Sequence, residues 1–255
     1  MFKLNRVLGG ALLVGALLGS QIARADDEKP VNLVVTPKVG RVVRTKSVIK
    51  TSFMGMDLIV NQTQKNTIKE VKANGDIVEE TADEGSVVSI GGQEQNQPAA
   101  PSYTVTTDKL GKIKVFREVA AGEFMSPEVS KLMEVLGSFI LTEKAVKTND
   151  TWQNELDNPA IKEKKITIKD TYLGTEKIDG KDCWKIKQTG EAVVDADGAK
   201  MSFEATEWVN SLTGEPVKLE GTVKDVPTQV GALTLKIVSN AVKADEKEKA
   251  APAKL

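Results

Sequence analysis

The sequence predicts an α+β fold that is mainly β: a curved antiparallel sheet, half-barrel-like, with one amphipathic helix packed against it. Three observations lead there. Turn dipeptides recur between β-rich runs along most of the chain, with Asn74-Gly75, Asp179-Gly180 and Thr213-Gly214 the clearest. Apolar residues at helical spacing concentrate in one run, 127–141. No composition break forces a second domain, and 255 residues suffice to bury a sizeable core.

Taken in order, 41–54 and 56–72 read as strands. Asn74-Gly75 reads as a two-residue type I′ turn, because both its central positions need positive φ. That turn sets Val71 opposite Val78 and Lys69 opposite Glu80, both favourable cross-strand pairs. Asn61–Thr67 is polar on both faces, so this strand is expected to be wet or to project beyond the core. Residues 91–101 read as a loop, too polar and proline-broken to pair. A second hairpin follows, Tyr103–Thr107 and Lys112–Val119 around Asp108–Gly111.

The helix is expected over 127–141. Ser126 suits the N-cap, Pro127 the first helical position, and Glu128 complements the helix dipole. Val129, Leu132, Met133, Leu136, Phe139 and Ile140 fall on one face. The polar face holds Lys131, Glu134 and Ser138 and is not basic, which favours core packing over a membrane surface.

In the C-terminal half, Asp179-Gly180 joins 165–178 to 181–192. It sets Lys177 opposite Asp182, Thr175 opposite Trp184 and Leu173 opposite Ile186, with Glu176–Cys183 and Tyr172–Lys187 on the other face. The apolar positions change parity between Ile168 and Leu173, which predicts a bulge near Asp170–Thr171. Turns at Asp195–Gly198 and Thr213-Gly214 give strands near 199–210 and 215–225, and 231–242 closes the set. The domain therefore spans 41–243, after a flexible segment 26–40 and before a disordered tail, 244–255.

The N-terminus reads as an address. Lys3 and Arg6 precede the apolar run Val7 to Leu18, and Ala23-Arg24-Ala25 before Asp26 is an A-x-A cleavage site. This is a Sec-type signal peptide, residues 1–25, cut between Ala25 and Asp26. Twelve apolar residues are too few for a spanning helix, so the mature protein is expected to have no transmembrane segment. No cysteine lies near the cut, so there is no lipobox, and the location is periplasmic or secreted. Cleavage removes three basic residues and no acid, leaving 32 of the 35 bases against 36 acids and a net charge of −4. A mildly acidic chain with arginine only at 41, 44 and 117 is a poor fit for nucleic acid.

Several chemistries are missing from the composition. With no histidine, imidazole shuttles, His-based triads and nearly all catalytic zinc sites fall away. Ser47-Val48-Ile49-Lys50 matches S-x-x-K, but on a strand that spacing sends the two side chains to opposite faces. Asp195-Ala196-Asp197-Gly198 resembles a calcium-loop fragment, yet the twelfth position is Thr206, and a polar turn explains it. The single cysteine, Cys183, is either a small apolar filler or a thiol free to pair between chains. No cofactor and no metal are expected. Carboxylates are plentiful, but no spacing marks a catalytic pair.

Trp152, Trp184 and Trp208 are the remaining candidates. Gathered in a concave sheet they would suit an amphipathic ligand, and as separate core anchors they would need none. Together with Leu132, Leu136 and Phe139 of the helix they form the candidate ligand-binding set.

Two stretches carry resemblances. Asn149-Asp150-Thr151-Trp152, followed by the hairpin Tyr172–Ile186 with its Asp-Gly turn, resembles bacterial secreted proteins of uncharacterised domain families, with Asn149 where glycine is usual. Trp208-Val209-Asn210-Ser211-Leu212-Thr213-Gly214-Glu215-Pro216-Val217-Lys218 resembles a hairpin of the LolA/LppX-like periplasmic lipoprotein carriers. That likeness implies an incomplete barrel whose concavity holds acyl chains under helices, and it brings no catalytic residue.

The expected function is that of an exported, non-enzymatic binding or carrier module for a lipid or other amphipathic molecule. The alternative is a structural or interaction module that docks another envelope protein, and a carboxylate-based hydrolase is a distant third. The carrier reading requires an apolar hollow beneath the helix on the order of 300 Å³ or more. Intact-mass analysis of exported protein is expected to give a chain starting at Asp26, and material retaining residues 1–25 would contradict the leader.

Overall fold

The computed structural model describes residues 29–116, 126–229 and 231–242. The leader, its cleavage point at Ala25 and Asp26, and the tail 244–255 lie outside the described residues. Twelve strands form one antiparallel sheet. In chain order they are β1 (Val42–Phe53), β2 (Met56–Val71), β3 (Ile77–Ile90), β4 (Gln93–Gln97), β5 (Tyr103–Thr107) and β6 (Ile113–Val115). Helix α1 (Pro127–Gly137) follows, then β7 (Thr151–Asp157), β8 (Lys165–Ile178), β9 (Lys181–Val193), β10 (Lys200–Asn210), β11 (Pro216–Thr228) and β12 (Gly231–Val242). The spatial order is β6-β5-β3-β2-β1-β12-β11-β10-β9-β8-β7, with β4 added to β3. The sheet is curved and not closed. This is the expected α+β, mainly β architecture.

Period-two patterning builds the core. Ile166, Ile168 and Tyr172 on β8, Ile186 on β9, and Met201, Phe203 and Ala205 on β10 are buried on the helix face. Across them lies α1, whose Leu132 and Leu136 are fully buried. Gly190 allows this approach, since a Cβ there would stand 3.1 Å from a Leu136 Cδ. By contrast β1 has no buried residue, and β2 buries only Ile68. The N-terminal strands thus extend the sheet past its core, in keeping with the polar run Asn61–Thr67.

Helix α1 starts where the cap signals put it, with the Ser126 side chain accepting from Val129 N–H. It stops at Gly137, short of the expected 141. Tertiary hydrogen bonds take over from the helical ones. The Ser138 carbonyl accepts from Gln188 Nε2 at 2.8 Å, the Ile140 carbonyl from Trp152 Nε1 at 2.7 Å, and Leu141 N–H donates to the Leu110 carbonyl at 2.8 Å. Ile140 and Leu141 are still buried, but along an extended segment.

Other departures are local. The Asn74-Gly75 connection is a longer loop closed by Lys72 N–H on the Asp76 carbonyl. Val71 therefore faces Ile77, and a bulge between Ile68 and Glu70 puts Glu80 opposite Thr67. The Lys69–Glu80 ion pair forms all the same, at 3.1 Å. Residues 93–97, read as loop, pair with β3, because an edge strand needs only backbone groups. The Asp179-Gly180 hairpin has the expected Lys177–Asp182, Thr175–Trp184 and Glu176–Cys183 pairs. Its bulge sits between Tyr172 and Gly174, beyond the expected Asp170–Thr171, so Ile186 faces Tyr172 and Lys187 faces Thr171. Gly174 supplies the positive φ, +106°, at that bulge.

The lead segment carries structure where flexibility was expected. Val31 bridges to Val146 by two hydrogen bonds of 2.8 and 2.9 Å, and Leu33 is 2% exposed. Leu33, Leu141 and Val146 join Tyr172, Trp184, Ile186 and Val209 in a second apolar cluster beside the α1 cluster. Leu136→Ala is expected to cost about 2–5 kcal/mol of stability in urea unfolding. A loss under about 1 kcal/mol would mean that α1 does not seal the sheet.

Candidate functional site

The two faces of the β8–β12 region differ in chemistry. On the helix face, Trp184 is buried and Trp152 packs beside it with Phe139, while Leu132 and Leu136 lie in the neighbouring cluster. Trp208 lies on the opposite face with Cys183 and Val217. Its indole N–H donates to Glu176 Oε2 at 3.0 Å, and the ammonium groups of Lys185 and Lys218 stand 5.1 and 4.7 Å from its ring. The three tryptophans are therefore split between the faces, two against one. Cys183 is fully buried beside Trp208, and burial pushes its thiol pKa up. Asp195 closes its own turn, accepting from Ala199 N–H at 2.9 Å.

The space left on the helix face is small. A cavity of about 210 Å³ lies among Ile77, Leu110, Phe139, Val209 and Pro216, with Val35 and Glu207 in its wall. Strands β3 and β10 both contribute, although four strands separate them in the sheet, so the curl brings them together here. The volume falls below the roughly 300 Å³ expected for a carrier. Extended segments, which period-3.6 reasoning does not anticipate, fill what one helix leaves open.

This apolar face also holds polar groups that sequence reasoning missed. Asp170 and Gln188 are fully buried and directly opposite each other on β8 and β9. Neither Asp170 oxygen has a hydrogen bond of good geometry, and Gln188 Oε1 and Asn154 Nδ2 are also unpartnered. Burial pushes the Asp170 carboxyl up to about 7, against a smaller downward pull from the Gln188 and Asn154 amides. Glu207 lies on the same face and is pushed up to about 8, first by burial and then by the negative charge of Asp170. The signal for both was parity. Asp170 continues the alternation Ile166, Ile168, and Glu207 continues Phe203, Ala205.

The opposite face carries the larger hollow, an open trough of about 1050 Å³ over β8–β12. One cross-strand row in it reads Lys169, Thr189, Glu204, Thr222, Lys236, and the next reads Thr167, Glu191, Ser202, Lys224. Its glutamates are neutralised locally. Glu204 pairs with Lys187 at 2.8 Å, Glu220 with Lys218 at 2.7 Å, and Glu191 with Lys200. Lys169, Lys224 and Lys236 make no ion pair with a described residue. The trough therefore holds three lysines outside any ion pair, Lys224 acting on Glu204 only at longer range, over a floor of short hydroxyl side chains.

Several solved structures are similar to this chain. A candidate lipoprotein from Parabacteroides distasonis gives a TM-score of 0.38 at 11% identity, over 84% of this chain and 98% of that one. A candidate exported protein with a YmcC-like fold from Bacteroides fragilis gives 0.34 at 10%, over 84% and 100%. The hypothetical lipoprotein YmcC from Escherichia coli gives 0.28 at 13%, over 78% and 84%. No protein-family model matches the chain, and no curated protein does. The LolA/LppX-like likeness rests on the hairpin sequence alone. No helix among the described residues is long and apolar enough to cross a membrane.

Buried Asp170 and half-buried Glu207 set a pH dependence. An unfolded chain gives up these protons near pH 4. The folded chain holds them to about 7 at Asp170 and about 8 at Glu207. Between those limits the folded state binds more protons, so their contribution to stability is full below pH 4 and declines as pH rises. Asp170→Asn is expected to gain on the parent protein, on the order of 2–4 kcal/mol, between pH 4.5 and pH 8 in chemical unfolding. A gap that does not change with pH would contradict an uncompensated Asp170.

Proposed function

We propose that this chain is an exported, non-catalytic module of the cell envelope that docks an acidic segment of another envelope protein in the trough of β8–β12. The observation that supports this is the charge balance of the trough, where Lys169, Lys224 and Lys236 make no ion pair with a described residue in a chain whose mature net charge is negative. The row from Lys169 to Lys236 crosses five strands, about 19 Å at the usual strand spacing, a span that suits an extended segment. Interfaces of this kind draw specificity and encounter rate from complementary charge. Export rests on the leader, with its positive start, short apolar run and A-x-A site.

The carrier reading is weakened by the filled helix face. A cavity of about 210 Å³ does not hold an acyl chain without displacing 138–146 or the lead segment. The carboxyls with the largest upward shifts, Asp170 and Glu207, do not favour the hydrolase reading, because Asp170 is sealed from solvent.

Fluorescein-labelled polyglutamate is expected to bind the mature protein in anisotropy titrations at low salt. Lys169→Gln/Lys236→Gln should weaken it at least tenfold. The control Lys147→Gln/Lys181→Gln, with the same charge change on exposed residues outside the trough, should not. Equal losses in both variants would contradict a specific trough. A fluorescent fatty acid that bound delipidated protein and shifted tryptophan emission would restore the carrier in its place.

A further inference from the structure

The helix-face cavity is lined by apolar side chains and by two charged ones, Lys109 and Glu207, and the Glu207 carboxyl makes no hydrogen bond or ion pair with a described residue. A carboxyl in such surroundings calls for a donor or a positive charge. The nearby cations are already committed. Lys109 also lines the cavity, but its ammonium is held by Glu143 at 2.6 Å. Arg41 donates from Nη1 to the Thr213 carbonyl at 2.8 Å and has Nε 3.7 Å from Glu215. The other charged groups nearby are acids. Asp170 on β8 acts on Glu207 with the same sign. Glu79, two residues beyond the cavity-lining Ile77 on β3, is desolvated and feels Arg41. No basic group of the described fold makes an ion pair with Glu207.

We propose that this cavity is a binding site for a small primary or secondary amine bearing one compact apolar group, with the ammonium on Glu207. The apolar group would pack against Phe139, Val209, Pro216 and Leu110. The volume, about 210 Å³, corresponds to roughly seven waters at ~30 Å³ each and suits a single ring. Binding is an acid–base exchange. The protonated amine enters, Glu207 releases its proton to solvent, and an ammonium–carboxylate pair forms at a half-buried site, where such a pair is stronger than in bulk water. With the carboxyl pushed up to about 8, most Glu207 is protonated at pH 7, so close to one proton leaves per amine bound.

Cyclohexylamine and cyclohexanol, nearly equal in shape, test this in the mature chain by titration calorimetry at pH 7. Running each in phosphate and in MOPS, which carries no primary or secondary amine, separates proton release from binding heat. The amine is expected to bind at least tenfold more tightly than the alcohol, with close to one proton released. Raising the pH to 9 should abolish the release in the wild-type protein while the amine binds more tightly. Glu207→Gln, which keeps the shape of the protonated acid, should remove both the release and the preference. Equal affinity for amine and alcohol, no binding of the amine, or proton release that survives in Glu207→Gln would each overturn the proposal.

Discussion

One short helix has to seal the apolar face of a wide sheet, and most of the architecture follows from that. Helix α1 has 11 residues, and its Leu132 and Leu136 cover only the middle of the β8–β10 face. Gly190 lets the helix sit low, which sets the depth of everything packed beside it. The rest of the face is covered by extended chain. Residues 138–146 run on from the helix, and the lead segment docks on them through Val31 and Leu33. An extended cover brings backbone polar groups into an apolar setting, where each needs a partner. Trp152, Gln188 and Leu110 supply those partners, so the cover and the sheet depend on each other.

That same face keeps Asp170 and Glu207, which cost stability at neutral pH and add nothing visible to packing. Such groups are more common at sites of use than in passive cores. The opposite face works by different means, with its glutamates tied to neighbouring lysines and three lysines left over. A covered face with a small cavity beside one carboxyl and an open face with unpaired lysines are two chemically distinct surfaces.

Local chemistry in the sequence carried much of the fold. Asp179-Gly180 specifies its hairpin register because a two-residue turn leaves the chain no alternative near the loop. The register then slips at Leu173, where Gly174 takes a conformation that no side-chain pattern announces. Helix α1 begins on a cap written in Ser126 and Pro127, but it ends through partners on β7, β9 and the 108–111 turn that are distant in sequence. Strand β4 was illegible because its pairing uses backbone alone. The candidate tryptophans scattered for a related reason. Trp208 and Val209 are adjacent and must face opposite ways on a strand, and the apolar Val209 is the one turned inward. Glu207 and Asp170 could have been found by following parity along their strands, where an acid stands in an apolar series.

The central claim is that the helix face is closed by a cover as firmly held as the sheet beneath it. Hydrogen–deuterium exchange of the mature protein, read at peptide level across 29–36 and 138–146, tests this most directly. The account predicts that the amides of Val31, Leu141 and Val146 exchange as slowly as those of β8–β10, all opening with global unfolding. Fast exchange in both segments, with β8–β10 still protected, would show a cover that lifts from a stable sheet and would contradict the account.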